Sequence, residues 1–124
     1  LNIVAAHDVG QAINPVNVVA QIEGGCGMGL GYGTCEEMVV ERGQVMNNNF
    51  STYVIPTDLD MPKVHTILVE CPDSSGPFGA KGVGEATLIP TAAAVANAVH
   101  NAIGIQFNSL PLSAEKIFGA LNAK

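Results

Sequence analysis

Six glycines stand between residues 24 and 33, inside an apolar stretch whose spacing is helical. Val16, Val19, Ile22 and Cys26 recur at intervals of three and four residues, the period of one helix face, and Pro15 suits a first helical turn. Each glycine weakens a helix by about 1 kcal/mol relative to alanine. An exposed helix of this composition would not persist in water. The pattern therefore predicts a helix pressed closely against neighbours, with Ala20, Gly24, Gly27 and Gly31 as a side of almost no volume. The chain has 124 residues and is 48% hydrophobic, ample for one packed domain.

The remaining segments alternate in type. Residues 1–6 read as a buried strand ending in the polar cluster His7-Asp8-Val9-Gly10, and such a strand needs a neighbour. The expectation is a fragment or split subunit whose missing partner completes the sheet. Residues 35–41 and Val45 flank an Arg42-Gly43-Gln44 turn and suggest an unequal hairpin. Residues 47–56 form a loop leading to an extended segment, residues 58–62 a turn, and residues 64–70 another strand. An alanine-rich helix is expected over 86–103, stopped by Gly104. Ser113 can cap a short helix over 114–121, with Leu112 and Ile117 placed as a hydrophobic staple. The fold class is α+β.

Charge removes several functions. A formal net charge of -6 leaves no basic stripe for nucleic acid or an anionic membrane surface, although backbone N–H groups can still hold a cofactor phosphate locally. Residues 86–114 contain no Asp, Glu, Lys or Arg up to Ala114, but Pro90, Asn97, His100, Asn101 and Gly104 make a buried helix a better reading than a membrane span. No signal-peptide pattern opens this stretch. Cys26, Cys35 and Cys71 are odd in number and widely spaced, so they read as small buried apolar residues of a reducing, cytoplasmic setting. His7, His65 and His100 show no metal-ligand spacing, and no metal held by side chains is expected. His7-Asp8 reads as a strand-end pair satisfying local backbone groups.

Chemistry concentrates in Gly76-Pro77-Phe78-Gly79-Ala80-Lys81-Gly82-Val83-Gly84-Glu85, a glycine-rich loop delivering one carboxylate to the start of a helix. Such a loop wraps an anionic or carbonyl-bearing ligand with backbone donors. It is not a P-loop, because Lys81 is followed by Gly82 and Gly76 stands five residues before it. It is a poor dinucleotide fingerprint, because Thr87 stands where the third glycine belongs. Two readings of Glu85 stay open on residue type alone: an anion favoured by the helix dipole, or a proton-transfer group whose carboxyl is tuned by an apolar pocket.

Several segments in fixed order carry a resemblance. His7-Asp8-Val9-Gly10-Gln11-Ala12-Ile13-Asn14-Pro15, Gln21-Ile22-Glu23-Gly24-Gly25, Met28-Gly29-Leu30-Gly31-Tyr32, Glu36-Glu37, Tyr53-Val54-Ile55-Pro56-Thr57, Gly79-Ala80-Lys81-Gly82-Val83-Gly84-Glu85 and Leu110-Pro111-Leu112 follow one another. Together they resemble the C-terminal molybdopterin-binding region of the xanthine dehydrogenase and aldehyde oxidoreductase family. The resemblance implies that residues 1–124 are the C-terminal segment of a molybdopterin-binding domain. It implies hydroxylation with water as the oxygen source and Glu85 as general base. It implies that Gln21 hydrogen-bonds the pterin and that Lys81, Gly82, Val83 and Gly84 bring backbone near the cofactor centre.

The implied cofactor is molybdenum-molybdopterin, expected in the cytosine dinucleotide form and held by its dithiolene rather than by side chains. The implied partners are the remainder of the molybdenum-binding subunit, together with iron-sulfur and FAD domains or subunits in a hetero-oligomer. The expected substrate is an aromatic nitrogen heterocycle such as a xanthine, or an aldehyde. Many relatives carry paired prolines after the glutamate where Ala86-Thr87 stand here, which leaves the shape of the substrate cavity open. Two other readings compete: a nucleotide-binding module using the Gly82 loop, and a non-catalytic structural or assembly subunit in which Glu85 only caps a helix.

Overall fold

A computed structural model of the chain describes residues 2–123. Strand β1 (Asn2–Asp8) leads into helix α1 (Pro15–Thr34), and a short hairpin of β2 (Val40–Glu41) and β3 (Gln44–Val45) follows. Strand β4 (Lys63–Val69), helix α2 (Ile89–Ile103) and helix α3 (Ala114–Asn122) complete the order. The chain is mixed α and β. Its principal sheet is a parallel pair, β1 beside β4 with Asn2 opposite Lys63 and Asp8 opposite Val69. Parallel strands need a crossover, and α1 is the helix within it.

One neighbour of β1 is thus found inside the chain, as β4. Leu1, included in the expected strand, lies outside the described residues. The β1–β4 pair turns Ile3, Ala5, Val64 and Leu68 toward α1, where they pack with Ile22, Cys26, Val18 and Val83. The opposite face exposes Val4, Ile67 and Val69.

Helix α1 starts where Asn14 accepts a hydrogen bond from the Asn17 N–H at 3.1 Å, with Pro15 in the first turn. Its close packing extends beyond the side expected. Gly25 and Gly29 are buried, and a Cβ on them would lie 2.6 Å from the Thr87 Cβ and 2.5 Å from the Thr91 Cβ respectively. Gly33 meets Ala92 on the same line, four residues further along. Ala20 and Gly24 face outward. Gly31, on the expected side, is buried too, where a Cβ would run into Glu36 and stand 2.8 Å from the Pro56 Cδ, and Gly27 packs on Met61. Helix α1 is therefore close-packed on two sides, the second being the Gly25–Gly29–Gly33 row that admits α2 and the turn before it.

The hairpin is shorter than its apolar residues suggest. Arg42 and Gly43 both have positive φ, 50° and 80°, which makes a two-residue turn, and Gln44 already belongs to β3. Helix α2 begins at Ile89 rather than at residue 86. Pro90 occupies its first turn, where a proline fits, and Glu85–Thr87 form a separate 3-10 turn ahead of it. Gly104 ends α2 in the left-handed conformation, φ 70°. Ser113 caps α3 by accepting from the Lys116 N–H at 3.2 Å.

The cysteines divide. Cys26 is buried in the core, where burial pushes its thiol pKa up. Cys35 is half-buried and Cys71 exposed, against the expectation that all three are core residues. Cys71 follows the end of β4, on the way out of the sheet rather than in it.

Candidate functional site

Parallel strands send both of their following segments out at the same end. From β1 the chain passes through Val9 and Gly10 toward α1, and from β4 it passes through residues 70–75 into the glycine-rich loop. The two segments meet there. The Lys81 N–H donates to the Val9 carbonyl at 3.0 Å, and the Gln11 N–H donates to the Gly79 carbonyl at 2.9 Å. Gly10, at φ 63°, has no room for a side chain, since a Cβ would run into the Gly79 carbonyl and stand 3.0 Å from the Lys81 nitrogen.

Side chains add to this junction. One oxygen of Asp8 accepts from the Gly10 N–H at 3.0 Å, while the other accepts from the Lys81 ammonium at 2.6 Å. The Lys81 ammonium and the Gly10 N–H hold the Asp8 carboxyl below its ordinary pKa, and Asp8 in turn raises that of Lys81. Asp8 does serve a local backbone group, as expected of the strand-end pair, but its charged partner is Lys81 rather than His7.

Beyond Lys81 the loop drops onto α1. Val83 packs against the Ala5–Ile22–Cys26 cluster. Thr87, wholly buried, donates its hydroxyl to the Gly84 carbonyl at 2.9 Å and lies 3.3 Å from the Gln21 carbonyl. Gly84 is exposed, and a Cβ there would make ordinary contact with the Gln21 Oε1 at 3.8 Å. Glu85 follows at once and its side chain is exposed. It lies one turn ahead of α2 rather than in that helix, so the dipole of α2 acts on it less directly than a place in the first turn would allow.

Between the loop and the start of α1 lies a cavity of about 180 Å³. Gln21, Lys81 and Val83 line it together with Val9, Gln11, Asn14, Asn17 and Val18. Of the six residues singled out in the sequence, these three share one wall, Gly84 abuts Gln21, and Gly82 is exposed with open space around it. Glu85 is adjacent in the chain but not in the lining. Sequence reasoning missed the part played by the Thr87 hydroxyl and the pairing of Asp8 with Lys81. A signal for Asp8 existed in principle, since a lysine in a tight glycine loop calls for a counter-charge.

The donor set suits a fused, amide-bearing heterocycle. Side-chain amides of Gln11, Asn17 and Gln21 can both donate and accept, and Val9, Val18 and Val83 supply an apolar wall. Among the described residues no group of three or more His, Cys, Asp or Glu is placed to hold a metal ion. No described helix is long and apolar enough to cross a membrane.

A family model described as a molybdopterin cofactor-binding domain matches residues 1–62. The chain belongs to that family. It is 38% identical over 118 residues to the xanthine dehydrogenase molybdenum-binding subunit of Escherichia coli, a match covering 94% of this chain and 16% of that protein. It is 36% identical over 115 residues to the aldehyde oxidoreductase molybdenum-binding subunit of the same species, covering 90% of this chain and 16% of the relative. Among solved structures, quinoline 2-oxidoreductase from Pseudomonas putida 86 superposes with a TM-score of 0.90 at 33% identity, covering 98% of this chain and 16% of the other. These family members are oxidoreductases by name, and the two from Escherichia coli are named as molybdenum-binding subunits. The chain spans about 16% of the length of each.

Proposed function

We propose that the chain is the part of a molybdenum hydroxylase that carries its catalytic base, Glu85, and one wall of its pterin site. The observation that carries this reading is the seating of the Lys81–Glu85 loop on α1, with Gly84 against Gln21 and the Thr87 hydroxyl between the Gly84 and Gln21 carbonyls. That seating holds the backbone from which a lone, exposed carboxylate projects, next in the chain to residues that line an amide-bearing cavity.

In this reading Gln21 hydrogen-bonds the pterin through its side-chain amide, and the Lys81, Gly82, Val83 and Gly84 backbone approaches the cofactor centre. When bound, the molybdenum-pterin group supplies the two-electron acceptor for a hydroxylation whose oxygen comes from water. Glu85 accepts the proton released as that oxygen attacks an electrophilic carbon, at one of its carboxylate oxygens. Val9, Val18 and Val83 keep water from the side of the cavity they line.

A cavity of about 180 Å³ is too small for a pterin nucleotide. The remainder of a molybdenum-binding subunit therefore encloses the cofactor jointly with this chain, which also disfavours a free-standing nucleotide-binding module. The same partner covers the exposed Val4, Ile67 and Val69 face of the parallel sheet, a type of sheet that is ordinarily buried on both sides. The cytosine dinucleotide form of the cofactor, iron-sulfur and FAD partners that carry electrons onward, and a cytoplasmic setting belong to the same proposal. The substrate is an aromatic nitrogen heterocycle or an aldehyde, and likeness to a quinoline 2-oxidoreductase favours the heterocycle.

The test is Glu85→Gln in the assembled enzyme. Loss of a general base lowers kcat by about 10²- to 10⁴-fold, with molybdenum and pterin content matching the parent. Hydroxylation at the parental rate with full cofactor would remove the assignment and leave the structural-subunit reading standing.

A further inference from the structure

We infer that Asp8 and Lys81 form a positioning latch that sets where the Glu85-bearing loop sits on the fold. The inference rests on the proposed role of Glu85 and adds two residues to it. Asp8 ends β1 and Lys81 belongs to the loop that follows β4, so the pair closes across a separation of 73 positions in the chain. The contact is not an isolated surface pair. Asp8 uses one oxygen for the Gly10 N–H and the other for the Lys81 ammonium, so a single carboxylate clips both outgoing segments.

Backbone bonds repeat the connection on either side, from Lys81 N–H to the Val9 carbonyl and from Gln11 N–H to the Gly79 carbonyl. The isolated bridge between Gly10 and Ala80 lies at the same place. Together these fix the register of the loop at Lys81, four residues before Glu85. From there Val83 is anchored in the core and Thr87 ties the following turn to α1. The backbone that carries Glu85 is therefore held from both sides, by the latch ahead of it and by Thr87 behind.

The Lys81 ammonium faces Asp8, and this separates two possible roles. A lysine that held an anionic cofactor would, when neutralised, lower cofactor content. A lysine that positions the loop would, when neutralised, leave the cofactor in place and slow the reaction. A misplacement on the order of 1 Å costs up to about 100-fold in rate, so a loosened loop acts on kcat rather than on KM.

The assembled enzyme carrying Lys81→Met or Asp8→Asn tests this, alongside Glu85→Gln. Each latch variant is expected to lose about 10-fold or more in kcat with KM within about twofold of the parent and molybdenum content unchanged. The double variant should be no worse than either single one, because both remove the same contact, and Lys81→Arg should recover the greater part of kcat. Three results would overturn the latch: parental kcat in both single variants while Glu85→Gln is inactive, additive losses in the double variant, or a fall in molybdenum content that tracks the loss of rate. An active Glu85→Gln enzyme would instead remove the base assignment on which the latch depends.

Discussion

Thr87 joins the two halves of the candidate site through one hydroxyl. It is wholly buried, donates to the Gly84 carbonyl and lies within reach of the Gln21 carbonyl. Thr87→Val keeps the shape of the side chain and removes its only O–H donor, leaving buried carbonyls without that partner. The expected cost is about 1–3 kcal/mol of stability, measured as a lower denaturation midpoint of the assembled protein; an unchanged midpoint would contradict it. Thr87 drew notice only as a missing fingerprint glycine and as a departure from paired prolines, since a hydroxyl's value depends on which carbonyls the fold brings to it. The Lys81–Glu85 run stood out because glycines and a lone carboxylate form a local pattern, and Gln21 entered only through the family resemblance, whereas the partnership of Asp8 with Lys81 spans 73 positions.

Helix α1 shows the same division at the level of elements. Six closely spaced glycines announced close packing, and the helix spans Pro15–Thr34 as the apolar spacing requires. Of the side expected, Gly27 and Gly31 are packed while Ala20 and Gly24 are open, and the Gly25–Gly29–Gly33 row is packed as well because α2 approaches there, a direction that a sequence does not state. Substitution separates the two sides. Gly25→Ala and Gly29→Ala push a methyl into Thr87 and Thr91 and should cost about 1–3 kcal/mol each. Gly24→Ala meets no atom of the chain and should raise stability by up to about 1 kcal/mol through helix propensity. Denaturation midpoints of the three variants rank them, and equal effects would show that the row is misassigned. The start of α2 was likewise displaced from residue 86 to Ile89, because the alanine-rich composition continues through a 3-10 turn that propensity alone does not separate from the helix.

For the molecule as a whole, exposed apolar surface is the feature that calls for a partner. Val4, Ile67 and Val69 on the outer sheet face, with Phe50, Leu59 and Phe78 on the loops, stand open to solvent. A two-stranded sheet is marginal by itself, and apolar patches of this kind mark contact surfaces. The 124-residue chain produced alone should bind an apolar dye such as ANS and self-associate, and co-production with the rest of a molybdenum-binding subunit should abolish both. A monomeric, dye-silent chain would argue against a covering partner. Mixed α and β architecture was legible from segment types, but the parallel pairing of β1 with β4 was not, because strand partners so distant in sequence are chosen by the whole fold.

That parallel pairing also divides labour between the two ends of the sheet. Everything assigned here to chemistry leaves from the carboxyl ends of β1 and β4, whereas the excursion over residues 35–62, with its hairpin and its 3-10 turn, returns the chain to the amino end of β4. Changes of length in that excursion should therefore leave the reacting end in place wherever Glu36, Pro56 and Met61 keep their seats against Gly27 and Gly31 of α1.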